Sequence, residues 1–133
     1  MSKPVFRLTE NEEQIMETLW REAKPLSRSE VINLTVDKTW KDSSIHILLN
    51  QLLEKDAITV DGFVKTGKSF GRTYSPSVTK DEFDMMQLKL EYNKLQPKKS
   101  TAASFISYLV ESESFSNEEL NQLIDILNSK KDK

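Results

Sequence analysis

The stretch from Trp40 to Asp56, WKDSSIHILLNQLLEKD, restricts the fold of this chain more than any other segment. Its large apolar residues recur at the i, i+3, i+4, i+7 and i+8 spacing, which places them on one side of a helix. They are Ile45, Leu48, Leu49, Leu52 and Leu53. We therefore expect an amphipathic helix whose apolar face packs against a core supplied by the rest of the chain.

The opposite face of this helix is short, polar and almost uncharged. It carries Ser43, His46, Ile47, Asn50 and Glu54, with Ser44 and Gln51 on its flank. Side chains that both donate and accept hydrogen bonds suit the base edges of the DNA major groove, where the donor and acceptor pattern encodes the sequence. The solvated outer face of an ordinary amphipathic helix has the same appearance, so the neighbouring segments have to distinguish the two interpretations.

The overall composition narrows the class of protein. A chain of 133 residues makes one ordinary domain or two small ones. Its 19 basic and 21 acidic residues nearly balance, so DNA binding would need a local basic patch. The absence of cysteine and the single histidine exclude disulfides, cysteine nucleophiles and clustered thiolate or histidine ligands, and we expect no metal and no cofactor.

The chain also has no sign of a membrane segment. No apolar run approaches the roughly 18 to 20 residues that span a bilayer, and the start, MSKPVFRLTENE, lacks the core of a signal peptide. We expect a soluble cytoplasmic protein with no membrane insertion.

Two short helices are predicted before the Trp40 segment. Each begins with a capping box, in which a Ser or Thr is followed three residues later by a Glu: Thr9 with Glu12, and Ser27 with Glu30. Arg28 and Ser29 lie at the amino end of the second helix, where free backbone N–H groups favour phosphate. Simple capping explains the serines equally well.

After the Trp40 segment the pattern changes to that of strands. Residues 57–65, AITVDGFVK, and 72–76, RTYSP, are rich in β-branched and aromatic side chains, and the glycines at 67 and 71 bracket a loop between them. Three helices, a strand, a glycine loop and a strand follow one another in the order of a winged helix. Lys65, Lys68 and Arg72 make this hairpin basic, which favours contact with phosphates or the minor groove, although a solvated hairpin tip is the alternative.

The last part of the chain is predicted to be helical, with further capping boxes at Thr79 with Glu82 and at Ser116 with Glu119. Its last two helices carry narrow apolar stripes of Phe105, Ile106, Leu109, Val110, Leu120, Leu123, Ile124 and Leu127. Because the segment is short, it cannot bury these stripes by itself. We therefore expect a second copy of the chain to cover them in a symmetric dimer. Packing of these helices onto the front of the same chain is the alternative.

The predicted fold is therefore mainly α with a small β-wing. A winged helix-turn-helix DNA-binding domain would occupy residues 1–77, and a helical dimerisation domain would occupy residues 78–133.

Four segments carry a family resemblance that covers nearly all of the chain. They are LTENEEQIMETLW (residues 8–20), TWKDSSIHILLNQLLEKDAI (39–58), RTYSP (72–76) and LVESESFSNEELNQLIDIL (109–127). In this order they resemble the penicillinase repressor and methicillin-resistance regulator family, which also includes copper-responsive repressors. The resemblance implies a homodimeric winged-helix repressor on a two-fold symmetric double-stranded operator, controlling a β-lactamase or another antibiotic-resistance gene.

The resemblance also implies which residues contact DNA and how the repressor is released. The groove-facing helix of the family matches residues 43–51, so Ser43, Ser44, His46, Ile47 and Asn50 are implied for DNA contact. Gln51, on the flank of the same face, is predicted to contact DNA as well. His46 stands where an arginine is common, and a histidine contact is expected to be weaker and pH-sensitive. Relatives are released by a membrane sensor protease at a bond that aligns with Tyr108 and Leu109, where they have Asn-Phe. The chain ends in SKKDK and lacks the cysteine-rich tail of the copper-responsive members.

Two other classes of function are alternatives to a repressor. A winged helix that binds another protein would fit the nearly neutral net charge. A steep fall of DNA affinity with salt concentration would argue against this alternative, because phosphate contacts displace counterions. An enzyme has no support, since the sequence shows no nucleophile with a base, no glycine-rich phosphate loop before a helix and no set of metal ligands.

Overall fold

The structure is a computed structural model that describes residues 3–66 and 69–131. Its elements, in chain order, are α1 (Glu10–Glu22), β1 (Leu26–Ser27), α2 (Arg28–Leu34), a 3₁₀ turn (Asp42–Ser44), α3 (Ile45–Glu54), β2 (Ile58–Thr66), β3 (Ser69–Pro76), α4 (Lys80–Lys94), α5 (Thr101–Ser112) and α6 (Asn117–Lys131). The predicted class is confirmed: the chain is mainly helical, with a winged helix-turn-helix at the front and helices at the carboxyl end.

All four predicted capping boxes are present. In each one the Ser or Thr oxygen accepts a hydrogen bond from the backbone N–H of the Glu, and the Glu carboxylate accepts one from the backbone N–H of the Ser or Thr. These bonds use backbone groups that have no partner within the helix, which is why each helix begins where it does.

The prediction that three helices precede any strand is wrong, because β1 lies between α1 and α2. Leu26 and Ser27 pair with Tyr74 and Thr73 of β3 and form the third strand of an antiparallel sheet with the order β1-β3-β2. Two residues are too few to show an alternating pattern in the sequence. This strand therefore depends on a partner more than forty residues away that local patterns do not reveal.

The wing is the hairpin of β2 and β3, and its register changes at Asp61. Val60 pairs with Tyr74 and Gly62 with Thr73, so one extra residue is inserted in β2. Such a bulge turns the following side chains to the opposite face of the sheet. It explains why the apolar residues of the predicted strand do not alternate regularly after residue 60.

One hydrophobic core joins the helices of the front part to the sheet. It consists of Phe6, Ile15, Met16, Leu19, Leu26, Val31, Trp40, Ile45, Leu48, Leu49, Leu52, Ala57, Ile58, Tyr74, Val78 and Phe83. Phe83 stacks on Phe6 with ring centroids 5.8 Å apart and lies 5.4 Å from Trp20. The first turns of α4 therefore contribute to the core of the winged helix.

The chain divides into two compact units, Met1–Leu90 and Glu91–Lys133. Because Val78 and Phe83 are buried in the first unit, this division lies further along the chain than the boundary after residue 77 that the composition suggests. The assignment of DNA binding to residues 1–77 and dimerisation to residues 78–133 stays a prediction. No helix in the described part of the chain is both long and apolar enough to cross a membrane.

Candidate nucleic-acid interface

The polar face of α3 lies on the surface as the spacing predicts. Ile45, Leu48, Leu49 and Leu52 are buried on the other side, and Leu53 packs against the same core. That arrangement leaves Ser43, His46, Ile47, Asn50 and Gln51 exposed and Ser44 half-buried. All six residues predicted to contact DNA from this helix therefore share one surface.

This surface is short of charge. The segment from Asp42 to Glu54 contains no Lys or Arg, and its amino end carries the carboxylate of Asp42. The Lys38 ammonium forms an ion pair with that carboxylate, donates to the Ile32 carbonyl at 3.3 Å, and lies 5.0 Å from the centre of the Trp40 ring. Asp42 is therefore neutralised by its own neighbour, which lowers its repulsion of a nearby phosphate.

One cation reaches this surface from another helix. Nη1 of Arg28, in the first turn of α2, lies 2.8 Å from Nε2 and 3.4 Å from Nδ1 of His46. Ser27, which precedes it, is buried and its oxygen accepts the N–H of Glu30, so this hydroxyl serves as a helix cap. The position of Arg28 at the amino end of α2 was predicted from the sequence. Its contact with His46, eighteen residues further on, was not.

The capping carboxylate beside Arg28 is held ionised by its surroundings. The pKa of Glu30 is lowered from its usual range chiefly because the backbone N–H of Ser27 donates to the carboxylate, and the Ser27 hydroxyl and the charge of Lys24 act in the same direction. Burial opposes this effect. The amino end of α2 thus keeps its cap occupied at neutral pH.

The wing presents two cations and an aromatic ring on one face. Phe63 pairs with Arg72 across the hairpin, and Lys65 lies two residues beyond Phe63 on the same strand, so the three side chains share a face. Lys65 and Arg72 are exposed, and 69% of Phe63 is accessible to solvent. Lys68, which we also predicted to contact DNA, lies outside the described residues. Phe63 was missed as a candidate because the bulge that turns it to this face could not be predicted from the sequence.

Polar contacts with α1 and the segment before it hold α3 in place at both ends. Lys55, directly after α3, forms an ion pair with Glu12 of α1 and donates to the Arg7 carbonyl at 2.9 Å. Glu12 is only 1% exposed, so this ion pair is sheltered from water. Before α3, the Thr39 backbone N–H donates to Gln14 at 3.1 Å and its hydroxyl donates to Asn11 at 2.8 Å. The helix is therefore fixed to α1 by polar contacts as well as by the core.

The second unit exposes most of its apolar side chains. Of the eight residues predicted to form the dimer interface, Leu109 and Leu120 are half-buried, and Phe105, Ile106, Val110, Leu123, Ile124 and Leu127 are exposed. Tyr108, in the middle of α5, is 68% exposed. Among the described residues of α5 and α6 none is fully buried, so the single chain leaves these stripes accessible.

The front part of the chain contains three helices and an antiparallel sheet, and its third helix exposes a polar face beside a basic hairpin. These features define a winged-helix protein of the nucleic-acid-binding class. The family described as penicillinase repressor matches residues 8–129. The chain therefore belongs to the penicillinase repressor family, a family of transcriptional repressors, as the four sequence segments indicated.

A relative and a solved structure illustrate what this chain is similar to. The penicillinase repressor of Bacillus licheniformis is 24% identical over 131 residues, which cover 98% of this chain and 97% of that protein. The solution structure of the monomeric form of Bacillus licheniformis BlaI in complex with the blaP half-operator is 24% identical in sequence. Its match covers 61% of this chain and 93% of that chain, with a TM-score of 0.43.

Proposed function

We propose that this chain is a homodimeric transcriptional repressor in the cytoplasm that binds a two-fold symmetric DNA operator. The observation that carries the proposal is the polar face of α3, which is exposed along its length while the opposite face is buried in the core. A helix fixed in this way can enter the major groove as a rigid body.

The chemistry of that face suits direct reading of bases. The amides of Asn50 and Gln51 each offer a donor and an acceptor, which match the N6 and N7 atoms of adenine. Ile47, 62% exposed, offers an apolar surface for a thymine methyl group. Ser43 and Ser44 at the start of the helix complete the set of base or phosphate contacts that we propose.

The wing supplies the sequence-independent part of the binding. Lys65 and Arg72 would contact phosphates, and Phe63 between them would lie against the sugars or the edge of the minor groove. The chain carries nearly balanced charge, so these few cations have a large share of the electrostatic attraction.

The accessible stripes of α5 and α6 support the proposed dimer. A second copy of the same surface would bury them, and the resulting two-fold axis would place two α3 helices about one DNA turn apart. The operator would then consist of two inverted half-sites.

The name of the relative suggests which gene this chain would regulate. Because the matched protein is a penicillinase repressor, we propose that the chain represses a β-lactamase or another antibiotic-resistance gene. We further propose that a membrane sensor protease releases it by cutting between Tyr108 and Leu109. Both residues lie within α5, so this helix would have to unwind locally before the bond could enter a protease.

A repressor needs no chemistry of its own, and we propose that the chain is not an enzyme. The competing function is a winged helix that binds a protein partner. Fluorescence anisotropy on a duplex from upstream of its own gene, with a scrambled duplex as competitor, separates the two. We expect two protomers per duplex, resistance to the competitor and a linear fall of the logarithm of the affinity with the logarithm of salt concentration. Equal, weak binding to both duplexes would favour the protein partner.

A further inference from the structure

We infer that Arg28 reads a guanine in the operator and that His46 positions it for this contact. The inference deepens the proposed function and rests on it. It concerns a residue of α2, outside the recognition helix, and it assigns His46 a role other than a base or phosphate contact of its own.

The geometry of the pair fixes which atom donates. A guanidinium group has only donors, so in the 2.8 Å contact Nη1 of Arg28 donates and Nε2 of His46 accepts. With Nη1 2.8 Å from Nε2 and 3.4 Å from Nδ1, the guanidinium lies beside the imidazole ring, and the contact holds Arg28 next to the recognition surface.

The same contact leaves the better edge of the guanidinium available. With Nη1 bonded to His46, the donors on Nε and Nη2 remain, and they form a parallel pair suited to two acceptors. Among the described residues Arg28 makes no other hydrogen bond or ion pair. Guanine presents such a pair of acceptors in the major groove, O6 and N7.

The location and the charge both favour a base contact. His46 lies in the first turn of α3 on the same exposed face as Ile47 and Asn50, so Arg28 is held at the edge of the recognition surface. Because the recognition segment has no Lys or Arg, Arg28 provides the guanidinium that this surface otherwise lacks. An arginine fixed by a neighbouring acceptor loses less side-chain freedom on binding than a free one.

The test compares substitutions at Arg28 on the cognate duplex, on the same duplex with each G·C pair replaced in turn, and on a scrambled duplex. For R28A we expect cognate binding to weaken by about ten- to a hundred-fold, the usual range for removal of a bidentate base contact. Binding of R28A to scrambled DNA should be only a few-fold weaker than that of the wild type. Replacement of one particular G·C pair should lower the affinity of the wild type much more than that of R28A. R28K keeps the charge without the fork, and we expect it to behave like R28A. K99A removes one exposed charge from the second unit and serves as the matched control.

His46 is tested by its ability to hold Arg28. H46A removes the acceptor, and we expect it to reduce discrimination at the same G·C pair. H46Q offers an amide oxygen near the position of Nε2, and we expect it to restore most of the discrimination. A purely structural link between α2 and α3 would instead lower the melting temperature of H46A and leave base discrimination unchanged.

The outcomes distinguish this inference from the proposed function. Two results would show that Arg28 contacts phosphate and that the inference is wrong, provided that the wild type prefers the cognate duplex. One is that R28K binds the cognate duplex as tightly as the wild type. The other is that R28A weakens binding to the cognate and scrambled duplexes by the same factor. If the wild type itself shows no preference for any upstream duplex, the proposed function fails first.

Discussion

At the scale of single residues, the ion pair of Glu12 and Lys55 links the end of α3 to α1. One oxygen of Glu12 accepts from the Thr9 backbone at 2.8 Å and from Lys55, while the other has no partner among the described residues. A carboxylate buried to this degree needs its counter-charge, because removing the partner leaves an uncompensated charge in the core.

We therefore predict that K55M, which keeps most of the apolar stem, lowers the free energy of unfolding by about 1–3 kcal/mol, the usual cost of a buried acceptor without its partner. E12Q on the same background should recover part of the loss, because the neutral amide can still accept from Thr9. Urea denaturation of the two single variants and the double variant measures this. Strictly additive losses would show that the two side chains do not interact.

The cap of α2 gives a prediction for pH. The pKa of Glu30 is lower in the folded chain than in the unfolded one, chiefly because it accepts the Ser27 backbone N–H. Its contribution to stability is therefore fully present above the unfolded pKa and is lost as pH falls through the folded pKa. We expect E30Q to melt below the wild type at pH 7 and the gap to close in the acid range. A gap that is constant between pH 7 and pH 3 would contradict this assignment.

At the scale of elements, the proposed function gives the wing and α3 separate tasks: α3 would read the base sequence and the wing would bind phosphate. We predict that the double variant K65A/R72A weakens binding to cognate and scrambled DNA by similar factors. Its salt slope should fall by about 2, because two phosphates are no longer neutralised by the protein. K98A/K99A removes the same charge from the second unit and should leave both duplexes unaffected. Weakening confined to the cognate duplex would mean that the wing reads bases.

The elements also show what a sequence can reveal. The faces of α3 were predictable because the helical period is a local property, and so were the four capping boxes, which need residues only three apart. β1, the bulge at Asp61 and the contact of Arg28 with His46 were not, because each depends on a partner distant in the chain. Family membership was predictable because it rests on the order of several segments, whose sum is more specific than any one of them.

At the scale of the whole molecule, the proposed repressor binds each operator with two chains. The stripes of α5 and α6 are accessible in the single chain, and a dimer is the proposed means of covering them. Under the proposed function this interface would be needed for operator binding, although it would not contact DNA itself.

We predict that L123D/L127D is monomeric in sedimentation velocity and loses most of its affinity for a full operator, because one α3 helix then binds each half-site alone. N121D/N128D adds the same two charges at polar, exposed positions of α6 and should remain dimeric. If the Leu variant still sediments as a dimer, the interface lies elsewhere in the chain.

Sequence-specific repression is best tested by DNase I footprinting of the purified chain on the DNA upstream of its own gene. We predict a protected segment with two inverted half-sites, their centres about one helical turn apart, at concentrations well below those that coat the whole fragment. Uniform protection that appears only at high concentration and disappears with modest salt would contradict a sequence-specific repressor.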